Sequence, residues 1–323
     1  MHYTLEDIAQ HIGCSFEAVG NQGLRFSSFD PISGATDQSI CWIRAKNPAA
    51  PGMIAESPAA FIVCEKLRVD PEVLGSKCLI QVECPDVAYL RLVKNLHPTR
   101  VPAEAFIHDT AIVASGARLG RNIRIGAHAI IGDCEIGNNC VIKANAIVHS
   151  SVTLGSNVLI SEYCNIGGQG FGHILNEHGL LENMLHIGRV VIEDDVEIFP
   201  YTNVDRATLS ETRIQTGTKI DHYCHIGHNS TIGSHSVITA RVVLCGGAKV
   251  GSGCFVGVGS LIREGVSVGD KASIGLGSIV TKDIPDGQVW VGAPARPIHI
   301  FKAIQKGISD LHPSSQSGGA PTS

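Results

Sequence analysis

One beat, an aliphatic residue at every sixth position, constrains this chain more than any other feature of its sequence. It starts at Ile107 and runs through Val113, Leu119, Ile125 and Ile131. One step of five residues follows, and the beat resumes at Ile136, Ile142, Val148, Leu154, Ile160 and Ile166. After a break come Ile192, Ile198 and Val204, then twelve beats without a miss from Ile214 to Val280. This beat fits a parallel β-helix in which each hexad supplies a short strand and a turn, and three hexads close a coil of about 18 residues. The beat residue then points inward and stacks on its equivalent in the next coil. Glycine often follows the beat (Gly126, Gly137, Gly233, Gly251), which reads as a demand of turn dihedrals. A small or medium residue sits four places after it, as at Ala129, Cys140, Cys224 and Ala248.

Composition agrees with this reading. The chain has 36 glycines in 323 residues and only 5% aromatics, which suits many tight turns around a core of small aliphatic side chains. The 11 cysteines are odd in number and form no C-x-x-C pair; several fall on one position of the repeat and read as buried thiols. Basic and acidic residues nearly balance at 25 and 30, so no nucleic-acid partner is implied. No apolar run approaches the roughly 18–20 residues of a membrane span. The opening MHYTLEDIAQ lacks the basic-then-apolar order of a secretory signal, so a cytoplasmic location is expected.

The beat also divides the chain. Residues 1–100 lack it. Thr4 and Asp7 read as a helix start before Ile8 and Ile12, and SICWIRA, AAFIVCE and KCLIQVE read as strands, giving a small α/β domain. HPTRVP (97–102) is the expected linker. Residues 101–297 form the β-helix, so the fold class is mainly β. Residues 169–186 break the beat and are expected to form an extruded loop, a place where repeat proteins often carry function. A short helix is expected over 298–311, and a disordered tail over 312–323.

A β-helix alone names no activity. The densest polar run is Asp221-His222-Tyr223-Cys224-His225-Ile226-Gly227-His228-Asn229. Three histidines spaced by three suggest a metal site, but residues six apart lie on different faces of a triangular coil, so no metal is expected. The alternative is one histidine as general base. One coil after His228 is Gly246, where a missing side chain leaves backbone N–H groups open to an acyl-transfer oxyanion. Spacing alone leaves two readings of His228, a catalytic base or a satisfied surface histidine.

The ordered motifs Gly170-Phe171-Gly172, Ile187-Gly188-Arg189-Val190-Val191-Ile192, Val204-Asp205-Arg206-Ala207, Lys219-Ile220-Asp221 and Ile226-Gly227-His228-Asn229 resemble the UDP-3-O-acylglucosamine N-acyltransferase family of lipid A synthesis. The resemblance spans all but the C-terminal end of the chain. It implies a left-handed coil, His228 as catalytic base, Gly246 as oxyanion donor and Asp221 as the residue that orients the base. It further implies a nucleotide-linked amino sugar as acceptor, an acyl carrier protein or coenzyme A thioester as co-substrate, no bound cofactor, and a homotrimer whose active sites lie between subunits. Aliphatic residues outside the inward column (Val190, Val242, Val243, Leu261) are the expected apolar trimer face. Phe171, Gly172 and their loop are expected to contact the acceptor sugar or a neighbouring subunit.

Three departures stand out. The family's uracil pocket carries Asn-Pro-x-aromatic; here Asn47-Pro48-Ala49-Ala50 keeps the Asn and loses the ring, leaving Trp42 as the nearest substitute, and an Asn-Pro pair is otherwise a turn. A further family histidine near the donor channel matches Gly265. The C-terminal helix is shortened. Two rivals therefore remain: an acetyl-CoA-dependent amino-sugar N-acetyltransferase for a surface glycan, and a non-catalytic β-helix scaffold.

Overall fold

The structure, a computed structural model, describes residues 2–44, 46–67, 74–97 and 105–311. The chain forms two compact units, residues 1–102 and 103–323. Residues 98–104, which hold most of the expected linker, and 312–323, the expected tail, lie outside the described residues.

In the first unit, helix α1 (Leu5–His11) begins at a reciprocal cap: the Asp7 carboxylate accepts from the Thr4 N–H at 2.7 Å, and the Thr4 hydroxyl accepts from the Asp7 N–H. Two orphan N–H groups of the first turn are thus satisfied. The strands are β1 (Glu17–Gly20), β2 (Ser28–Phe29), β3 (Ser39–Trp42), β4 (Phe61–Cys64) and β5 (Cys78–Gln81). They pair in the order β1-β5-β4-β3-β2, with β1 antiparallel to β5 and the others parallel. Helices α2 (Ala50–Glu56) and α3 (Pro85–Leu96) and a 3-10 turn (Ile32–Gly34) accompany the sheet among the described residues. Its central strands β4 and β5 are buried throughout. This is the continuous apolar pattern of strands covered on both faces.

The second unit is the parallel β-helix. Its short strands stack into three sheets of nine, eight and eleven strands. In the nine-stranded sheet, Ile226 pairs with Leu244, Leu244 with Ile262, and Ile262 with Val280, one coil per 18 residues. Where the beat takes its five-residue step, Ile131 pairs with Val148. The beat residues from Ile192 to Val280 are almost wholly excluded from solvent. The residues four after the beat are buried as well (Cys140, Cys224, Ala248, Cys254), so each hexad sends two side chains inward. Val190 and Val242 occupy this second position and are fully buried. They are core residues, and neither belongs to an outer apolar face; of the four aliphatics expected there, Val243 and Leu261 remain partly exposed.

The glycines divide into two kinds. Those at the turn corner, such as Gly247 and Gly253, adopt positive φ, as do Asn139 and Asn229 at equivalent corners. Apart from Gly167 (φ +87°), the glycines that follow the beat are not at positive φ. A Cβ on Gly137 would lie 2.4 Å from the Gly155 carbonyl oxygen, and one on Gly233 would lie 2.4 Å from Gly251. Close stacking of consecutive coils, and no turn dihedral, excludes a side chain there.

The 169–186 excursion holds an antiparallel hairpin, His173–Leu175 paired with Leu181–Asn183. Asn176 shapes its tip by accepting from the N–H groups of His178 and Leu180. The chain ends its described course in a helix over Ile298–Leu311.

Column packing sets the first expected outcome. Ile238 is fully buried and its neighbour Val237 is 39% exposed. Ile238→Ala should lower the urea-unfolding free energy by about 2–5 kcal/mol. Val237→Ala should change it by no more than about 0.5 kcal/mol.

Candidate active site

His228 leaves the nine-stranded sheet two residues after the beat residue Ile226, at a turn where one coil lies directly beside the next. A Cβ built on Gly246 would sit 2.5 Å from His228 Cε1 and 2.6 Å from Nε2. Only glycine allows the imidazole to lie there. The adjoining Gly247, at φ +70°, donates its N–H to the His228 carbonyl at 2.7 Å. The Gly246 N–H itself meets no acceptor among the described residues. The structure therefore brings a histidine and an uncommitted backbone donor into contact.

Asn229 completes the immediate surroundings. The Thr208 N–H donates to Asn229 Oδ1 at 2.9 Å, and Asn229 Nδ2 donates to Thr208 Oγ1 at 3.1 Å. A backbone N–H can only donate, so Thr208 fixes which end of the amide faces His228. Asn229 Nδ2 lies 3.0 Å from His228 Nδ1, which makes Nδ1 the acceptor and leaves the proton of the neutral ring on Nε2. Taking a proton at Nε2 requires the other tautomer, with Nδ1–H donating. A half-turn of the Asn229 amide would offer Oδ1 for that bond and give up the Thr208 N–H.

Within one chain Asp221 bonds its neighbour His222 and makes no hydrogen bond to His228. It accepts from the His222 backbone N–H at 2.8 Å and from His222 Nδ1 at 2.5 Å. Burial acts to raise the Asp221 pKa, but the bonds from His222 outweigh it and hold the carboxyl below its ordinary value. The reason is positional: Asp221 is one residue after a beat and His228 two residues after the next, so they occupy different corners of the coil. The side chain that hydrogen-bonds the His228 ring is that of its sequence neighbour Asn229, present in the Ile226–Asn229 motif but given no role there.

The three histidines also diverge. His222 bonds Asp221 and packs its ring 5.5 Å from that of Phe199. His225 faces Asn203 Nδ2 at 3.2 Å and Asp205 at 3.6 Å. Among the described residues no group of three His, Cys, Asp or Glu side chains could hold a metal ion. Along the outer face of the nine-stranded sheet, His149, Asn165, Asn203 and Asp205 form a chain of hydrogen bonds of 2.6–2.8 Å. His225 continues the file, and its partners in successive coils are Val243, Leu261 and Ile279. The face changes from polar to apolar at the level of His228.

Gly170 and Gly172 lie at the root of the hairpin, where Cβ atoms would meet the His186 ring at 3.0 and 3.2 Å. The root thus packs on the chain's own coil, while Phe171 is 84% exposed and its ring meets His173. In the first unit, Asn47 Oδ1 accepts from the Ala49 N–H and Nδ2 lies 3.7 Å from Met53 Sδ, a turn into α2. Trp42, 38% exposed, packs against Tyr89. A separate cavity of about 670 Å³, lined by Tyr3, Phe29, Leu96 and His97 among others, opens elsewhere in that unit.

Burial is the main influence holding the His228 pKa below its usual value, with His186 and His225 adding to it and Asp205 and Glu264 opposing. A neutral imidazole is thereby favoured, as a general base requires.

These features are those of a parallel β-helix built on hexapeptide repeats. The bacterial transferase hexapeptide family (six repeats) matches residues 133–168 and 211–246, and the hexapeptide repeat of succinyl-transferase matches 247–282. Curated relatives are similar to the chain over part of its length. The chain is 37% identical over 147 residues to UDP-3-O-acylglucosamine N-acyltransferase of Rhizobium meliloti (strain 1021), covering 46% of this chain and 42% of that protein. It is 41% identical over 144 residues to the protein of the same name from Caulobacter vibrioides (strain NA1000 / CB15N), covering 45% and 42%. The matched stretch thus spans about two-fifths of those relatives' length. Two solved structures share the fold: UDP-N-acetylglucosamine O-acyltransferase from Moraxella catarrhalis RH4 (TM-score 0.53, 20% identity, 65% of this chain and 86% of that one) and UDP-N-acetylglucosamine acyltransferase from Campylobacter jejuni (0.52, 23%, 65% and 85%).

The Asn229 geometry is testable by titration. In Asn229→Asp a carboxylate accepts from both the Thr208 N–H and a His228 Nδ1–H without any rotation. The added anion favours the imidazolium, so the His228 midpoint followed by histidine NMR should rise above that of the unaltered protein. An unchanged midpoint would show that Asn229 does not bond the ring in solution.

Proposed function

We propose that this chain is an N-acyltransferase that moves an acyl group from a thioester to the amine of a UDP-linked 3-O-acylated amino sugar. The observation that carries the reading is the imidazole of His228 lying against Gly246, with a free backbone N–H beside a depressed-pKa base. The names of the curated relatives supply the acceptor class.

The sugar amine attacks the thioester carbonyl carbon, forming the C–N bond while the carbonyl π pair moves onto oxygen. With the Asn229 amide turned to accept from Nδ1–H, His228 Nε2 takes a proton from the attacking nitrogen, and the Gly246 N–H stabilises the oxyanion. The intermediate then collapses, the C–S bond breaks, and the thiolate takes the proton from the imidazolium. Each histidine proton is returned, so the amide and the free thiol leave the site unchanged. Asp205 and His225 stand at the polar end of the outer face, suited to a sugar. Val243, Leu261 and Ile279 give the adjoining coils an apolar file suited to an acyl chain.

His228→Ala should lower kcat by roughly 10²–10⁴-fold with an unaltered far-ultraviolet spectrum, measured as thiol release from both a long-chain acyl carrier protein thioester and acetyl-CoA. Turnover only with acetyl-CoA would favour the surface-glycan N-acetyltransferase, and no thiol release from either donor would favour a scaffold. His228 should need to be neutral, so activity should fall as pH drops through a midpoint below the ordinary imidazole value of about 6.5.

The proposal includes a homotrimer with the site beside a subunit boundary. Val243, Leu261 and Ile279, the last 43% exposed, leave the apolar file open along one side, and closed cyclic symmetry covers such a face without an open-ended contact. Sedimentation should give three times the 34.1 kDa chain mass. A fully active monomer would remove this part of the proposal.

A further inference from the structure

His186, the last residue of the excursion, is 2% exposed. Its Nδ1 lies 2.9 Å from the Met184 carbonyl oxygen. A carbonyl only accepts, so Nδ1 carries the proton and the neutral ring keeps a lone pair on Nε2. That Nε2 is buried and has no hydrogen-bond partner. Leaving such a group unpaired is unfavourable, and an apolar ring would fill the space without that cost. The surroundings hold the ring in place nonetheless. With its amide oriented to satisfy both contacts, Gln169 accepts from the His186 N–H at 2.6 Å and donates to the His186 carbonyl at 3.2 Å. Gly170 and Gly172 pack closely on the ring, since Cβ atoms there would stand 3.0 Å from Nε2 and 3.2 Å from Cε1. The ring meets the imidazole of His228 at 63°, with centroids 4.7 Å apart.

We infer that His186 is a positioning residue for His228, its buried ring wedged between the Gly170–Gly172 segment and the His228 imidazole so that the latter stays against Gly246. The inference rests on reading His228 as the base. A Cβ on Gly170 would also meet His228 Cβ at 3.2 Å, so the hairpin root and His186 both pack against His228. A base held in this way loses no freedom when the amine arrives, and small misplacements of a reacting group are costly in rate. The ring also acts electrostatically. From the excursion His186 disfavours a charge on His228; from the same coil stack His225 does likewise, while Asp205 and Glu264 favour it. Removing His186 therefore exposes the imidazole and removes one disfavouring neighbour, and both effects raise its midpoint.

The test compares His186→Ala and His186→Phe in the full chain, with ¹⁵N-labelled histidine spectra followed across pH alongside kcat and KM. His186→Ala should lower kcat about tenfold or more, leave KM for the acceptor within about threefold, and move the His228 midpoint upward. His186→Phe restores the ring and should recover most of the kcat, with the midpoint still raised. A His186→Ala protein with unchanged kcat and an unchanged His228 titration overturns the inference. If the Ala variant does not fold, a Phe variant with the original midpoint overturns it alone. The titration separates this idea from the catalytic reading: a moved midpoint in a protein whose His228→Ala variant remains active would sink the base and leave the contact standing.

Discussion

Parallel stacking of one coil directly on the next is the interaction on which the rest of the β-helix depends. Backbone hydrogen bonds between coils are satisfied only if equivalent residues lie in register, and the aliphatic column forms only in that same register. Slipping one residue would turn the inward side chains outward and bury polar ones. Ile226, Leu244, Ile262 and Val280 are thus fixed in file by two demands at once. The glycines after the beat follow from the same constraint, because coils this close leave no space for a Cβ at those positions.

The candidate site exploits that register. A residue and its equivalent one coil away are neighbours, which is how His228 and Gly246 meet although 18 places separate them. The same rule aligns His225 above Val243 and Leu261, turning a linear alternation in sequence into a polar-to-apolar gradient along one face. A rigid, repetitive scaffold holds such a pair without spending binding energy on ordering it. The Gly246 N–H is left uncommitted because it lies at a turn outside the strand ladder.

The second ingredient comes from breaks in the repeat. The 169–186 excursion returns His186 to the side of His228, and the shorter gap between Val204 and Ile214 supplies Thr208, which orients Asn229. Both departures from the six-residue beat end beside the His228–Asn229 pair. Strict repetition provides the wall and the donor, and the interruptions provide the parts that differ from coil to coil.

The β-helix and its inward column were readable from the sequence, because burial every sixth residue has few other solutions and a beat survives without knowledge of any contact. The pairing of His228 with Gly246 was readable for the same reason, as one coil is a fixed count of residues. The roles of the glycines after the beat, the burial of Val190 and Val242, and the partner of Asp221 were decided only by the tertiary structure. Each depends on which way a side chain leaves a corner and on how close the neighbouring coil lies, and a one-residue offset changes both. His186 and Thr208 lie outside the beat altogether. Their contact with the site is set by the path of two irregular segments through space, for which the spacing of residues along the chain carries no signal.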